Sequence, residues 1–154
     1  MTSQQRFTHI TQPEGVTPGP GYSHVVTGSG EMVAVSGQVA IGENGQLTGP
    51  GDPSAQARQV FENLRRCLAA AGLSFDEVIK LTYYLTDMAH LPTVRIVRDE
   101  FIDTTRPPAS TAVQVVALAR NAPAARALRL ELGDDGEMIR WPDAVHRSSA
   151  RQLS

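Results

Sequence analysis

Apolar residues change their spacing several times along the chain, and each change predicts an element. Between residues 57 and 71 they recur every three or four positions, which is typical of an amphipathic helix. Asp52 and Pro53 suit the N-cap and first turn of a helix, and Gly72 suits its end. One helix of about five turns is therefore predicted. Its apolar stripe consists of Ala57, Val60, Phe61, Leu64, Leu68 and Ala71.

The clearest strand signal follows this helix. Residues 74–77 have the spacing of a capping box and predict one helical turn. From Ile79 to Thr86 apolar and polar residues then alternate, as in a strand that buries one face. We expect the apolar face, Ile79, Leu81, Tyr83 and Leu85, to pack on the long helix.

A second helix and two more strands complete the carboxyl-terminal half. The helix is predicted from near Pro92 to Phe101, with Arg95 and Arg98 on its flank. The prolines at 107 and 108 end helical structure, so a strand is expected from Ala109. The last strand alternates leucines 128, 130 and 132 with Arg129 and Glu131.

The first fifty residues contain short β segments separated by glycine and proline. Residues 6–10 predict a strand, and residues 22–27 and 31–41 predict a hairpin turning at residues 28–30. Asn44-Gly45 is a strong tight-turn signal. Gly37, inside the valine-rich strand, indicates either a bulge or a close approach by another backbone or a ligand.

The predicted order is hairpin, helix, strand, helix, strand, strand. This order favours an α+β sandwich, an antiparallel-leaning sheet with both helices on one face. We expect one domain over residues 1–135 and a carboxyl-terminal tail over 136–154. The other sheet face suits burial against a second subunit, so a homo-oligomer is expected. It would collect Thr82, Tyr84, Thr86, Gln114, Arg129, Glu131, Ser36 and Gln38.

Charge and composition restrict the kind of partner. The net charge is -2 and the basic residues are scattered, so we expect no nucleic-acid or membrane-surface partner. The single cysteine, Cys67, excludes an intrachain disulfide and is interpreted as a core residue rather than a nucleophile. Without a long apolar run or a secretory signal, a cytoplasmic protein is expected. No metal-ligand spacing, phosphate loop or Ser-His-Asp order is present.

Six segments between residues 19 and 132 share one family pattern. They are Tyr22-Ser23-His24, Val35-Ser36-Gly37-Gln38, Gln56-Ala57-Arg58 with Asn63-Leu64, Ala71-Gly72-Leu73-Ser74, Thr82 to Met88, and Pro108-Ala109-Ser110-Thr111. Together and in this order they resemble the Rid/YjgF family of reactive-intermediate deaminases. The resemblance implies a chorismate-mutase-like fold with a mixed sheet. It also implies a homotrimer whose three sheets form a central barrel with clefts between subunits.

The same resemblance implies cofactor-free hydrolysis of an enamine or imine to a 2-keto acid and ammonia. In deaminating members an arginine in the corner motif binds the substrate carboxylate as a bidentate ion pair. The aligned residue here is Ser110, which can donate one hydrogen bond but cannot neutralise a carboxylate. This departure puts the usual 2-imino acid activity in question.

Other positions carry over individually from the family. Tyr22 and Ser36 look like cleft residues, and Gly37, Gln38 and Thr111 accompany them. Where the family often has an asparagine on the second helix, this chain has Arg95. A cation that compensates for the missing arginine would be either Arg95 or Arg106.

The water-orienting glutamate of the family falls on the last strand. One register places Arg129 at that position and the other places Glu131. We assign Glu131 as a catalytic residue together with Tyr22 and Ser36. His24, beside Tyr22, is either a proton relay or a packed strand residue.

Three functions remain open from the sequence. The first is hydrolysis of an enamine, imine or related reactive metabolite. The second is a noncatalytic trimer that binds a small metabolite. The third is a specialised pathway enzyme that uses the cleft for another reaction, because a shared fold does not fix one function.

Overall fold

A computed structural model describes residues 7–118 and the strand at 127–132. Strands β1 (Phe7–Ile10) and β2 (Val25–Gly28) form a two-stranded antiparallel sheet. A four-stranded sheet contains β3 (Ala34–Gln38), β4 (Val78–Leu85), β5 (Ala109–Gln114) and β6 (Ala127–Leu132). Its order is β3-β6-β4-β5, with β4 and β5 parallel and the other pairs antiparallel. The fold is therefore mixed α+β.

Two helices, α1 (Pro53–Ala70) and α2 (Leu91–Arg98), pack against each other beside the sheet. Single 3-10 turns at Phe75–Glu77 and Met88–His90 precede β4 and α2. None of the described helices is long and apolar enough to cross a membrane. The boundary predicted at residue 135 and the tail at 136–154 lie outside the described residues.

The structure confirms the predicted boundaries of the long helix α1. The Asp52 carboxylate accepts hydrogen bonds from the backbone N–H groups of Ser54 and Ala55, at 2.9 and 3.0 Å. At the other end Gly72 has φ = +72°, a left-handed conformation that favours glycine. Ala71 is exposed at the C-cap, unlike the rest of the predicted apolar stripe.

Strand β4 starts one residue earlier than expected. The predicted capping box is present, since the Ser74 N–H donates to the Glu77 carboxylate at 2.7 Å. A register shift against β6 between Val78 and Lys80 interrupts the alternation. Val78 is therefore buried where Ile79 was predicted, while Leu81, Tyr83 and Leu85 are buried as expected.

The predicted hairpin of residues 22–41 is wrong. Strand β2 pairs with β1, and β3 pairs with β6 on the far edge of the larger sheet. This pairing lets Val35 reach the core shared with α1 and β4. Local turn chemistry at residues 28–30 could not reveal a partner about one hundred residues away in sequence.

A smaller hairpin after β3 is confirmed. Ile41 and Leu47 form an antiparallel bridge, and Gly45 has φ = +76° in the turn between them. The Asn63 side-chain amide on α1 donates to the carbonyls of Val39 and Ile41 at 3.1 and 2.9 Å. One side chain thus fastens the hairpin to the helix.

We expect Asn63→Ala to lower the free energy of unfolding by about 1–3 kcal/mol, because two half-buried carbonyls lose their donor. Urea unfolding followed by circular dichroism measures this loss. Arg66→Ala is the control, since Arg66 is exposed and makes only a 3.5 Å contact with Glu43. Equal stability of the two variants would contradict the assignment.

Candidate functional site

The predicted site residues lie at opposite edges of the four-stranded sheet. Ser36, Gly37 and Gln38 belong to edge strand β3, whereas Ser110 and Thr111 belong to edge strand β5. Strands β6 and β4 lie between them, so the two edges are roughly 14 Å apart at the usual strand spacing. The residues therefore form two half-sites, the β3 edge and the β5 edge.

The corner before β5 is hydrogen-bonded to Ser23, which precedes β2 and forms an isolated parallel bridge with Ala109. The buried Ser23 hydroxyl donates to the Pro107 carbonyl at 2.5 Å, and the Ser23 N–H donates to the Pro108 carbonyl at 3.2 Å. His9 Nδ1 lies 3.0 Å from the same Pro107 carbonyl. Because Ser23 donates to a carbonyl, its oxygen is not activated as a nucleophile.

These contacts bring Tyr22 to the β5 edge. The Tyr22 ring packs over Gly19, where any Cβ would lie 2.1 Å from the ring. His24 contacts the same ring edge-on, with centroids 5.1 Å apart, and its Nε2 lies 3.0 Å from the Thr17 carbonyl. That contact supports the packed interpretation of His24.

A buried polar cluster lies on the helix side of the β5 edge. The Tyr83 side chain is only 2% exposed, and its hydroxyl has no hydrogen-bond partner among the described residues. Burial raises the pKa of this hydroxyl, opposed by the nearby Arg98, Ser110 and Arg95 side chains. Tyr83 therefore keeps its proton at neutral pH, beside two guanidinium groups.

Arg98 is the most buried charged group at this edge. Its side chain is 4% exposed, and Nε and Nη2 donate to Asp99 Oδ1 at 2.8 and 2.6 Å. Burial acts to lower the pKa of Arg98, but Tyr83 and Asp99 outweigh it and the pKa is raised. Gly21, with φ = +72°, covers the guanidinium, and a Cβ there would lie 2.8 Å from Nη2.

Arg106 is paired with an acidic residue of its own turn. Its Nε donates to Asp103 Oδ2 at 3.1 Å, and Thr105 donates to the other Asp103 oxygen through both its N–H and its hydroxyl. The Thr105 hydrogen bonds and Arg106 lower the pKa of Asp103 to about 2. Arg106 is thus already paired, which argues against its predicted role as the compensating cation.

The opposite face of β5 presents different groups. Lys80 Nζ donates to the Thr111 hydroxyl at 2.5 Å on this open face. Gln114 was predicted on the same face, but that prediction is wrong because the register pairs it with the buried Leu85. Its side-chain oxygen instead accepts from the Met88 N–H at 3.3 Å.

The β3 edge contains a bulge. The register with β6 shifts between Val35 and Gln38, which confirms the bulge interpretation of Gly37. Ser36 and Gly37 lie within the bulge and are exposed, and the Gln38 amide donates to the Ser36 carbonyl at 3.1 Å. Bulges commonly redirect a side chain out of the sheet, as a site at this edge would require.

Strand β6 carries the last predicted residues. The backbone register pairs Glu131 with Lys80 on one side and Ala34 on the other, and Arg129 with Thr82. The side chains of residues 127–132 lie outside the described part of the structure. The choice between Glu131 and Arg129 therefore stays a prediction.

Two other features lie away from both half-sites. A surface groove runs beside the start of α1, lined by Thr48, Asp52, Ser54, Ala55, Arg58, Gln59 and Glu62. It contains none of the predicted residues. Among the described residues no three His, Cys, Asp or Glu side chains are grouped as a metal ion would require.

Sequence reasoning missed Tyr83 and Arg98. Tyr83 occupies an apolar position of the β4 alternation, so its hydroxyl looked incidental. Arg98 lies one helical turn after Arg95, and this spacing places both on the same face of α2. The signal available in the sequence was an arginine next to the valines of the apolar helix face. Arginine is almost never fully buried unless it is paired, so such a position indicates a partner.

Comparison with known proteins points to one family. Residues 14–124 match the family model described as Endoribonuclease L-PSP. The chain is 38% identical over 104 residues to Protein DfrA of Myxococcus xanthus, covering 68% of this chain and 79% of that one. It is 35% identical over 95 residues to "Putative reactive intermediate deaminase TdcF" of Escherichia coli K12, covering 60% and 72%.

A solved structure extends the likeness to the fold. It is a protein of unknown function of the conserved Rid protein family, YyfB from Yersinia pestis. The TM-score is 0.70 at 29% identity, and the match covers 83% of this chain and 98% of that one.

Ser23→Ala is expected to lower the free energy of unfolding by about 1–2 kcal/mol, because a buried hydroxyl that fixes the β5 corner is lost. Thermal and urea unfolding measure the change. Ser29→Ala serves as the control, since Ser29 is exposed in the loop after β2. A loss no larger than the control's would show that the corner is held by other contacts.

The pH dependence of the free energy of unfolding tests the role assigned to the Asp103 carboxylate. Since the pKa of Asp103 falls from 3.8 to about 2 on folding, the carboxylate stabilises the native state above pH 3.8 and loses this effect as the pH falls toward 2. Asp103→Asn should be less stable than the wild type at neutral pH, and the gap should close across that window.

Urea-unfolding midpoints of the wild type and Asp103→Asn, measured from pH 7 downward, give this difference in stability. The control is Asp76→Asn, whose exposed carboxylate makes no hydrogen bond among residues 7–118. A gap that is constant with pH would contradict the assignment.

Proposed function

The chain belongs to the Rid/YjgF family, and on that premise we propose that it is a cofactor-independent hydrolase of an enamine, imine or related reactive metabolite. The observation that carries the proposal is the β5 edge, where Ser23, the neighbour of Tyr22, bridges to Ala109, and where Ser110 lies on the same side of the sheet as the buried Tyr83, near two arginines. A relative named as a reactive intermediate deaminase supports the reaction class.

The reaction requires few groups. Water adds to the carbon of a C=N bond, the nitrogen takes protons and leaves as ammonia, and a carbonyl compound remains. An acid or base of the protein has only to orient water and move protons. We assign the base to Glu131 and the orientation of water and substrate to Tyr22 and Ser36, with Gly37, Gln38 and Thr111 around them.

The two half-sites support an assembly with a shared cleft. The strand order keeps them about 14 Å apart within one protomer, which supports a cleft in which a second copy supplies the β3 edge that meets a β5 edge. We propose a cytoplasmic homotrimer in which the open sheet faces meet. The exposed Thr111 and Val113 lie on that face.

A binding role without turnover is the second candidate. By the family resemblance, Ser110 stands where deaminating members carry the carboxylate-binding arginine, and this difference favours a different ligand or a regulatory trimer. The net charge of -2 supports a small molecule, rather than nucleic acid or a membrane surface, as the partner in either case.

We expect the wild-type protein to accelerate ammonia release from imines generated in the cuvette by an amino-acid oxidase. Ammonia and 2-keto acid are measured against the uncatalysed rate, with heat-unfolded protein as the control. Saturable binding of a keto acid without any acceleration would replace the hydrolase with the binding role.

Mixed assemblies test the shared cleft directly. A β3-edge variant, Ser36→Ala with Gln38→Ala, and a β5-edge variant, Tyr22→Phe with Ser110→Ala, should each be inactive alone. Equal mixtures that are unfolded and refolded together should recover about a quarter of the sites, since each cleft draws one edge from each of two copies.

Mixing the same variants without unfolding is the control and should recover nothing if subunits do not exchange. A refolded mixture that stays inactive while the wild type recovers, or a monomer in sedimentation at micromolar concentration, would overturn the shared cleft.

A further inference from the structure

The tip of the hairpin between Ile41 and Leu47 contains a chemically labile pair of residues. Asn44 and Gly45 are both exposed. Apart from its two chain neighbours, no heavy atom of the described residues lies within 4 Å of the position that a Cβ would take at Gly45. Without a side chain at Gly45, its backbone nitrogen can approach the side-chain carbonyl of the preceding asparagine unhindered. The conformation of the hairpin therefore decides whether the two groups react.

The reaction between these groups is deamidation through a cyclic imide. The Gly45 nitrogen forms a bond to Asn44 Cγ, and the bond from Cγ to the side-chain nitrogen breaks. That nitrogen leaves as ammonia and takes the proton that the Gly45 nitrogen gives up. Water then opens the imide at either carbonyl, which yields aspartate or isoaspartate. Water is the only co-reactant.

The backbone of the loop opposes this ring closure. The Gly45 N–H donates to the Gly42 carbonyl and the Gly42 N–H to the Gln46 carbonyl, both at 2.9 Å, and Gly45 has φ = +76°. This is a three-residue hairpin loop, in which a type I turn precedes a left-handed residue. Such a turn keeps ψ of its third residue, Asn44, near 0°, so the side chain lies about 120° from the next nitrogen. Ring closure needs the two groups nearly eclipsed, and the folded loop keeps them apart.

Two further sets of hydrogen bonds hold the loop in this conformation. Asn44 Oδ1 accepts from the Gln46 N–H at 3.0 Å, which fixes the side chain that would have to rotate. The Asn63 amide on α1 donates to the carbonyls of Val39 and Ile41, which fixes the hairpin on the helix. The attacking nitrogen can thus reach Asn44 only after the hairpin opens.

We propose that Asn44 is a deamidation site in the native protein, and that its rate is set by how often the hairpin opens from α1. The closed hairpin holds the nitrogen and the carbon apart, whereas a local opening frees both. The site is independent of the proposed function, because it involves neither half-site and no substrate.

The modification changes the hairpin in two ways. It adds a negative charge next to Glu43, where like charges repel. Isoaspartate also inserts a side-chain carbon into the backbone, and a three-residue loop cannot take up this carbon in the same register. The hairpin directly follows Gln38, so the change occurs beside the β3 edge.

Incubation of the full-length protein in mildly alkaline buffer tests the proposal. Released ammonia and peptide mass spectrometry give the deamidation rate at Asn44, and chromatography separates isoaspartate from aspartate. The reference is the same protein unfolded in guanidinium chloride at the same pH and temperature. We expect the native protein to react at least about tenfold more slowly than the unfolded chain. Equal rates in the two states would overturn the proposal.

A variant on the helix tests the role of hairpin opening. Asn63→Ala leaves the sequence of the loop unchanged but removes two of the hydrogen bonds that close it. Its native rate should rise about fivefold to thirtyfold, with the rate of the unfolded chain as the upper limit. Arg65→Ala, which removes an exposed α1 side chain paired with Glu62, is the control and should react like the wild type.

A milder variant covers a failure of Asn63→Ala to fold. Thr48→Val loses only a hydroxyl that donates to Gln59 at 3.1 Å, and it should accelerate the native reaction severalfold. All variants should match the wild type when unfolded, since the residues around Asn44 are the same. A native rate that neither variant changes would overturn the link to hairpin opening.

The isolated product tests the effect on the fold. Asn44→Asp carries the added charge but not the added backbone carbon, so it is the matched control. The isoaspartate form purified from aged wild type should unfold at a lower urea concentration than Asn44→Asp. Equal midpoints would overturn the predicted disruption of the hairpin.

Discussion

Two adjacent prolines impose the constraint on which the β5 edge depends. Pro107 and Pro108 have no backbone N–H, so the backbone of these two residues can form hydrogen bonds only through its carbonyls. Ser23 and His9 approach those carbonyls from the amino-terminal part of the chain. The same contacts bring Tyr22 next to the start of β5. The position of Tyr22 at the candidate site therefore depends on the hydrogen bonds that the Pro107 and Pro108 carbonyls accept.

The elements with a strong local pattern could be predicted from the sequence. The caps at Asp52 and Gly72 and the alternation along β4 each depend on neighbouring residues, and the structure confirms them. The partner of β3 and the burial of Val78 in place of Ile79 both depend on β6, a strand distant in sequence, and the predictions at these two points were wrong. Local signals define elements, whereas pairing decides which edge an element occupies.

The candidate site was predictable in part for the same reason. Residues of the β5 corner and the bulge at Gly37 follow from sequence motifs, but their separation across the sheet follows from the strand order. Tyr83 and Arg98 were missed because their polar ends are buried by packing that no local pattern describes. Burying polar groups lowers the stability of a protein unless they are paired. Apolar packing alone therefore does not explain why Tyr83 and Arg98 occur at the β5 edge.

Gly21 has a consequence for how this chain can diverge. Its left-handed backbone and its closeness to Arg98 oppose any side chain at this position for two separate reasons. Replacing Arg98 would relieve the steric conflict but not the backbone strain, so glycine stays the favoured residue at position 21 with or without the arginine. Descendant sequences should therefore retain the glycine even where the arginine has been lost.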